Sequence, residues 1–314
     1  MKRKVIITGA TGFLGKNLLC TLLKRNIEVT AVVRDAYKLS DIRNGLLCIV
    51  EADLADYGAL DKRIPAGDYD VFYHFAWNGT SGNKREDYRI QVHNIQAACE
   101  AVVAAKNVGC KRFINAGSLM EYESMKLMEH AGRQPQGNYM YRSAKLAAHY
   151  MAKAEAGRTD LPFINMIISN VYGEGEVSAR LISSTLQKLI RHENVSYTAG
   201  TQLYDFIHIE DASEAFYQVG ERGKPFCDYY VGSGQIRPLR EYIEEIYACL
   251  PIDQKPIFGD YPFDGVRLSY EEFDKNALHR DTGFRCKIPF SEGIQRAYMW
   301  MEKRYGAELE RKDI

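Results

Sequence analysis

The chain has 314 residues, of which 46% are hydrophobic, and its 41 Lys and Arg residues balance its 41 Asp and Glu residues. This length predicts about two domains, and the hydrophobic share excludes intrinsic disorder and a small disulfide-stapled scaffold. With no excess charge, the chain as a whole is not attracted to nucleic acid or to an acidic membrane. No run approaches the roughly 20 apolar residues of a membrane span. We therefore expect neither a nucleic-acid partner nor a membrane partner.

The cysteines and the N-terminal sequence indicate the cellular compartment in which the protein resides. The seven cysteines are scattered and form no Cys-x-x-Cys pair, which favours buried, reduced thiols over a zinc site or a disulfide framework. The first apolar run is broken by Thr8 and Gly9, too early for the core of a secretory signal. We expect a cytoplasmic protein with no bound metal.

The first half of the chain alternates strand patterns with helical patterns. Strands are predicted at Lys4–Thr8, Glu28–Val33, Leu46–Val50, Val71–Phe75, Arg112–Asn115 and Phe163–Ile168, and helices at Phe13–Arg25, Tyr88–Lys106 and Tyr141–Ala156. Such alternation requires right-handed parallel crossovers. It predicts an α/β fold built on a doubly wound parallel sheet, which binds ligands at the carboxyl ends of its strands.

The second half is less regular. Helices are predicted at Ser178–Arg191, Pro238–Leu250 and Phe290–Arg304, and a turn-rich segment at Asp260–Ser269. We expect a larger domain formed by residues 1–169, with 197–235 returning to it. A smaller C-terminal domain would comprise residues 170–196 and 236–314.

Two of the predicted helices carry small and apolar residues around most of their circumference, at residues 92–106 and 142–156. A helix at the surface of a monomer has one polar face, so these helices are expected to be covered on a second side. A partner subunit, giving a homodimer, is the first interpretation. Cover by the second half of the same chain is the alternative.

A glycine-rich turn joins the first predicted strand to the first helix. Its sequence, Gly-Ala-Thr-Gly-Phe-Leu-Gly, places glycines three residues apart at Gly9, Gly12 and Gly15. Gly9 can turn sharply, Gly12 lets backbone amides approach a pyrophosphate, and Gly15 lets the helix pack close to the sheet. This position favours a dinucleotide site over an ordinary turn. Its contact residues would be Gly9, Thr11, Gly12, Phe13, Leu14 and Gly15.

The end of the second predicted strand bears on the choice of cofactor. NAD sites usually carry an acid there for the ribose hydroxyls, but this chain has Val33 followed by Arg34. An arginine fork suits the adenosine 2′-phosphate of NADP. We therefore expect NADP(H), with NAD(H) as the second choice because Asp35 follows.

A tyrosine and a lysine lie one turn apart on the third predicted helix. Tyr141 and Lys145 share a face because they are four residues apart. A lysine cation and an oxidised nicotinamide lower a tyrosine pKa from its reference of about 10. Such a phenol can exchange protons with an alcohol or ketone near neutral pH. Ser118, after the fifth strand, can hydrogen-bond the same substrate oxygen.

These motifs together resemble the extended short-chain dehydrogenase/reductase family, and within it the nucleotide-sugar branch of epimerases, dehydratases and reductases. The resemblance also runs through Asp53-Leu54, His74-Phe75-Ala76, Gly117-Ser118 with Tyr122, Ser169–Gly173 and Asp205–His208. It implies a Rossmann domain that binds NAD(P) and a smaller C-terminal domain that binds a nucleoside-diphosphate sugar.

The resemblance also implies roles for single residues. Tyr141 would be the acid/base, Lys145 the ribose ligand that lowers the tyrosine pKa, and Ser118 the anchor of the substrate oxygen. Further cofactor contacts would come from Asp53, Leu54, Phe75 and Ala76, and substrate contacts from Trp77, Ser118, Asn170, Tyr204 and Arg267. Tyr204 stands where family members often carry arginine.

The residues after Ser118 distinguish between the reactions that members of this branch catalyse. Dehydratases of the family carry an Asp-Glu pair there, whereas this chain has Leu119 and Met120, which cannot transfer a proton. Glu121 before Tyr122 resembles reductases of 4-keto-6-deoxy nucleotide sugars. We therefore expect NADPH-dependent reduction of such a sugar, with hydride to C4 and a proton from Tyr141. The alternatives are a 4-epimerase with tightly held NAD(P), a reductase of a small ketone or aldehyde, and a non-catalytic NADP sensor.

Overall fold

The computed structural model describes residues 3–128, 138–263 and 265–310. The strands, in chain order, are β1 (Lys4–Thr8), β2 (Glu28–Val33), β3 (Leu47–Glu51), β4 (Val71–His74), β5 (Phe113–Ala116), β6 (Phe163–Ile168), β7 (Asn170–Tyr172), β8 (Ser196–Thr198), β9 (Leu203–Tyr204), β10 (Phe206–His208), β11 (Asp228–Val231), β12 (Arg237–Pro238) and β13 (Ile257–Tyr261). The helices are α1 (Phe13–Lys24), α2 (Tyr88–Asn107), α3 (Met120–Met128), α4 (Asn138–Arg158), α5 (Leu181–Ile190), α6 (Ile209–Arg222), α7 (Leu239–Cys249), α8 (Ala277–Thr282) and α9 (Phe290–Glu310). Short 3-10 helices occupy Ala36–Leu39, Leu54–Lys62 and Gly82–Arg85.

The central sheet is parallel and doubly wound. Among the described residues it has seven strands, in the order β11-β6-β5-β4-β1-β2-β3. The chain order reverses at β1, which pairs in parallel with both β2 and β4. The predicted fold class is confirmed, and the strands predicted in the first half lie within one residue of those observed. The carboxyl ends of β1, β2, β4 and β5 therefore meet at one edge of the sheet.

Apolar side chains that recur at the spacing of a helix or a strand explain how the helices pack on the sheet and how its strands align. In α1 the side chains of Leu18, Leu19, Leu22 and Leu23 are buried on one face, which is the amphipathic pattern expected of a helix that covers a sheet. Across β4, β5 and β6, the rings of Phe72, Phe113 and Phe163 stack in register, with centroids 5.1 and 5.6 Å apart. These aromatic pairs fix the alignment of the strands that lead into the candidate site.

The chain forms two compact units, within each of which the residues contact one another extensively. The first comprises Met1–Ile168, Ser213–Val231 and Asp274–Phe284, and the second Ser169–Ala212, Gly232–Phe273 and Arg285–Ile314. The sequence placed 197–235 in the first unit and 236–314 in the second, but 197–212 and 232–235 lie in the second and 274–284 lie in the first. Residues 203–208 belong to the second unit because β9 and β10 pair there with β12 and β7. The binding role of each unit stays a prediction.

The second unit is built from helices and short strand pairs. Helices predicted at 178–191, 238–250 and 290–304 correspond to α5, α7 and α9. Their apolar faces meet in a core that contains Leu186, Tyr242, Ile246, Phe290 and Ile294. The turn-rich segment predicted from residue 260 begins inside β13, which pairs with β8. That strand escaped sequence analysis because its partner lies about sixty residues earlier in the chain.

The two apolar-wrapped helices, α2 and α4, pack against each other. This contact accounts for part of the apolar surface around both helices, and α2 also packs against the 3-10 helix Leu54–Lys62. Outside these contacts, apolar side chains stay exposed on both helices, among them Val92, Val103, Tyr150 and Met151. No helix in the described ranges combines the length and hydropathy that crossing a bilayer requires.

Candidate active site

The glycine turn brings β1, α1 and the end of β4 into close contact. Gly9 has φ +69°, and a Cβ at this residue would lie 2.8 Å from the backbone nitrogen of Ala76. A Cβ on Gly15 would collide with the carbonyl oxygen of Gly9. Both positions therefore require glycine for the strand, the turn and the helix to approach this closely.

The N-terminus of α1 is suited to an anion. Gly12 is its N-cap residue and provides no side-chain cap for the first backbone amides. Exposed amides and the positive end of the helix dipole form an anion-binding site. The residues present fit the pyrophosphate of a dinucleotide, which Thr11, Gly12, Phe13 and Leu14 would hold.

Arg34 extends from the end of β2 and is held there by side chains after β4. Its Nη1 donates a 3.0 Å hydrogen bond to Asn78 Oδ1. Asn94 in turn fixes Asn78, because its amide group makes 2.8 Å hydrogen bonds with both the N–H and the carbonyl oxygen of Asn78. The Arg34 cation is thus positioned at the carboxyl edge of the sheet.

The other predicted cofactor residues lie at the same edge. Asp53 caps the 3-10 helix that follows β3, and its Oδ1 accepts a 3.2 Å hydrogen bond from the Ala55 amide. Leu54 is buried in the core beside this cap. Phe75 packs its ring against Phe216, with centroids 4.7 Å apart. These contacts anchor the loops that follow β3 and β4.

The predicted reactive residues come together at the end of β5. Tyr141 and Lys145 are both buried on α4. The Lys145 ammonium donates a 3.1 Å hydrogen bond to the carbonyl oxygen of Ala116, two residues before Ser118. Ser118 Oγ accepts a 3.2 Å hydrogen bond from the Met120 amide, where α3 begins. The Lys145 ammonium is thus bound to the backbone that leads into Ser118, and Tyr141 precedes Lys145 by one turn of α4.

Two further side chains surround Tyr141. Trp77 meets the phenol ring edge-on, with centroids 6.0 Å apart, and its own ring lies 3.8 Å from the Lys145 ammonium. The Arg85 guanidinium lies 4.2 Å from the centre of the Tyr141 ring. Sequence analysis named Trp77 but missed Arg85, because the loop after β4 gives no periodic signal that brings it to Tyr141.

The substrate residues predicted in the second unit lie on its short strands and loops. Asn170 Nδ2 donates a 3.1 Å hydrogen bond to the carbonyl oxygen of Asp205. The ring of Tyr204 stacks on Phe206, with centroids 5.5 Å apart. Arg267 binds Thr201 Oγ1 through both terminal nitrogens at 3.2 Å. It lines a cavity of about 460 Å³ together with Thr201, Gln202, Asp260, Tyr261 and Phe263.

Two histidines near these motifs are buried and have polar partners. His74 is buried and makes a 2.9 Å hydrogen bond with Thr8 Oγ1. Burial, with a smaller contribution from the Lys145 charge, lowers the pKa of His74 to about 3, so the ring stays neutral. His208 is also buried, and its Nε2 lies 2.9 Å from Glu174 Oε2. Among the described residues, no group of three or more His, Cys, Asp and Glu side chains could hold a metal.

The chain resembles several nucleotide-sugar enzymes along nearly its whole length. The mouse dTDP-D-glucose 4,6-dehydratase is 21% identical, with 96% of this chain and 90% of the relative covered. CDP-abequose synthase from Salmonella muenchen is 26% identical, with 93% of each chain covered. The structure of UDP-glucuronic acid 4-epimerase from Bacillus cereus in complex with NAD is 17% identical, with a TM-score of 0.75 over 96% of this chain and 99% of that one.

The family model described as the NAD dependent epimerase/dehydratase family matches residues 5–232. The match spans the glycine turn, the β2 end with Arg34, Ser118, Tyr141 and Lys145. It covers well over half of the chain. The chain belongs to the NAD dependent epimerase/dehydratase family.

Proposed function

We propose that this protein reduces the C4 ketone of a 4-keto-6-deoxy nucleotide sugar with NADPH. The observation that carries the proposal is the hydrogen bond from Lys145, one turn after Tyr141 on α4, to the Ala116 carbonyl oxygen two residues before Ser118. Ser118 is followed by two residues that transfer no proton. Leu119 is buried, and Met120 accepts a hydrogen bond from Arg85 through its sulfur. A dehydratase needs an acid to protonate its leaving hydroxyl, and these positions offer none.

The chain's own side chains account for the steps at the substrate. A bound nicotinamide dinucleotide supplies the hydride. Ser118 holds the C4 oxygen through its hydroxyl, and Tyr141 donates the proton that this oxygen gains. The Lys145 cation, one turn along α4, favours the phenolate that remains. Proton transfer by a positioned group of this kind contributes roughly 10²–10⁴-fold in rate.

NADPH is the proposed form of the cofactor because of Arg34. The hydrogen bond to Asn78 holds the guanidinium at the carboxyl edge of β2, beside the glycine turn, where Gly9 donates to the Val32 carbonyl. An arginine there can bind a phosphate through two nitrogens. Val33 offers no carboxylate to the ribose hydroxyls that NAD would present.

The proposed substrate class rests on the second unit and on the relatives. Asn170, Tyr204 and Arg267 would bind the nucleoside diphosphate, with Trp77 near the sugar. The Arg267 guanidinium in the cavity wall suits a phosphate. The names of the relatives contain dTDP-, CDP- and UDP-linked sugars, which supports a nucleotide sugar. The scattered cysteines favour a reducing compartment, and we propose the cytoplasm.

The reaction is tested by mixing the purified protein with NADPH and 4-keto-6-deoxy sugars linked to CDP, UDP, dTDP or GDP. We expect one of them to oxidise one NADPH per sugar, measured by the loss of NADPH absorbance and by chromatography of the product. Interconversion of 4-hydroxy sugars with no net use of NADPH would instead identify a 4-epimerase. Oxidation of NADPH only by small ketones or aldehydes would also reject the proposal.

We further propose that α2 and α4 form the interface of a homodimer. Val92 and Val103 are eleven residues apart on α2, as are Met140 and Met151 on α4, and all four side chains are exposed. Eleven residues make three helical turns, so each pair lies along one side of its helix. Two neighbouring apolar stripes of this kind suit an isologous contact with a second copy.

The homodimer predicts a light-scattering mass of twice the chain's 35.8 kDa. Met151→Glu should shift that mass to the monomer, because it places a charge in an apolar interface. Met299→Glu, at an exposed methionine on α9, is the matched control and should remain dimeric. A monomeric wild-type protein at micromolar concentration would contradict the proposed interface.

A further inference from the structure

Buried polar side chains lie directly behind Ser118. Glu121, three residues further along, is 1% exposed, and its Oε1 accepts a 2.7 Å hydrogen bond from the backbone N–H of Ser118. Its Oε2 lies 2.9 Å from His149 Nδ1 and accepts a 3.3 Å hydrogen bond from Asn165 Nδ2. Both oxygens of this carboxylate are therefore engaged, and one of them holds the segment that carries Ser118.

His149 connects this carboxylate to the helix of the reactive tyrosine. Tyr141, Lys145, His149 and Lys153 follow each other at intervals of four on α4, so they lie along one side of the helix. His149 Nε2 lies 3.3 Å from Asp228 Oδ1, which also accepts a 2.8 Å hydrogen bond from Lys153. A single imidazole thus links the Tyr141 helix to the Ser118 segment.

The packing around this link leaves little room for adjustment. A Cβ on Gly117 would lie 2.6 Å from the Asn165 side-chain amide and 2.7 Å from Glu121 Oε1. Asn115 fixes that amide with a 2.8 Å hydrogen bond to Asn165 Oδ1. The backbone that leads into Ser118 therefore rests directly on the Asn165 amide and the Glu121 carboxylate.

We propose that Glu121 and His149 are positioning residues that fix Ser118 relative to Tyr141 for proton transfer. A buried carboxylate without a partner is costly, and the imidazolium of His149 supplies the opposite charge. The pair joins α3 to α4, so its loss would let the two reactive hydroxyls move apart. This role rests on the proposed function, in which Ser118 holds the substrate oxygen.

The charge of His149 depends on the groups that face it. These are Glu121 from α3, Asp228 from β11 and, from its own helix, Tyr150, whose ring stacks on the imidazole with centroids 4.8 Å apart, and Lys153, which also binds Asp228. Burial opposes the charge, but the hydrogen bonds and charges of Asp228 and Glu121 outweigh it and raise the pKa of His149 to about 9. The usual pKa is 6.5. The stabilisation from this ion pair is therefore complete below pH 6.5 and is lost as the pH rises through about 9.

The first test needs no substrate. The imidazole signals of the seven histidines are followed by NMR against pH in the wild-type protein. We expect one imidazole to titrate near pH 9, to disappear in His149→Gln, and to titrate at lower pH in Glu121→Gln. His93→Gln is the control and should leave this signal in place. If no imidazole of the wild-type protein titrates well above 6.5, the proposal is overturned, even where a variant does not fold.

The second test measures the position of Ser118. Glu121→Gln and His149→Gln should accelerate hydrogen exchange at the Ser118 amide, whereas Glu155→Gln, which removes a carboxylate paired with Arg158 elsewhere on α4, should not. Unchanged exchange in both variants would reject the positioning role. This measurement decides the role even if the wild-type protein fails to reduce a keto sugar, an outcome that would reject only the proposed reaction.

The third test applies once turnover is measured. Glu121→Gln and His149→Gln should each lower kcat on the order of tenfold, with the Kd for NADPH unchanged. The double variant should lose no more than either single variant, because the two residues act as a unit. The alkaline fall of kcat should move to lower pH in Glu121→Gln. Additive losses, or an unmoved pH profile, would contradict the coupling.

Discussion

Tyr141→Phe should lower kcat by roughly 10²–10⁴-fold, because it removes the proton that the substrate oxygen gains. The substitution deletes one hydroxyl and keeps the ring that packs against Trp77 and Arg85. The fold, the melting temperature and the Kd for NADPH should therefore stay close to those of the wild-type protein. Steady-state kinetics with the keto sugar measure the expected loss of kcat, and a cofactor titration measures the unchanged Kd for NADPH.

Tyr139→Phe is the matched control for this substitution. Tyr139 lies on the same helix, two residues before Tyr141, but it has Ser143 rather than a lysine one turn further along. Its loss should leave kcat unchanged. Near-normal turnover in Tyr141→Phe, or an equal loss in the two variants, would remove Tyr141 from the proposed acid/base role.

Arg34→Ala should abolish the preference for NADPH over NADH. A hydrogen bond to a charged group contributes roughly 1.5–3 kcal/mol, so we expect NADPH to bind about 10- to 100-fold more weakly. Binding of NADH should change little, because the guanidinium has no phosphate to bind in that cofactor. Fluorescence titration of both cofactors with both proteins gives the four dissociation constants that are needed.

Arg43→Ala is the control for this prediction. Arg43 is an exposed arginine between β2 and β3, so the substitution removes the same charge as Arg34→Ala. It leaves in place Arg34, the arginine that Asn78 holds. The preference for NADPH should survive in this variant. Equal affinity of the wild-type protein for the two cofactors would contradict the assignment of Arg34.

Local patterns were sufficient for the sheet and for much of the candidate site. Strands such as Lys4–Thr8 and Phe163–Ile168 are mostly apolar and almost wholly buried, as parallel strands covered on both faces must be. The turn from Gly9 to Gly15 and the pair formed by Tyr141 and Lys145 are also local, since each is defined by spacing within a single element. A reader of the sequence alone can therefore place them without knowing what they contact.

Contacts between distant segments could not be predicted in this way. Glu121, His149 and Asp228 come from three different elements, and burial rather than spacing makes their charges significant. The four-residue interval from Lys145 to His149 was a signal that could have revealed the histidine, but its carboxylate partners had no comparable pattern. Similarly, β13 is a strand because β8 pairs with it, and Arg267 is held by Thr201 from another loop.

The position of Trp77 has a practical consequence. The chain has two tryptophans, and the Trp77 indole lies against the Lys145 ammonium, whereas Trp300 is on α9 in the other contact unit. A ligand that binds that ammonium changes the charge next to the indole, and the emission of an indole is sensitive to a neighbouring charge. A Trp300→Phe protein would therefore carry a single tryptophan, whose emission can time the arrival of a ligand at Lys145 without any added dye.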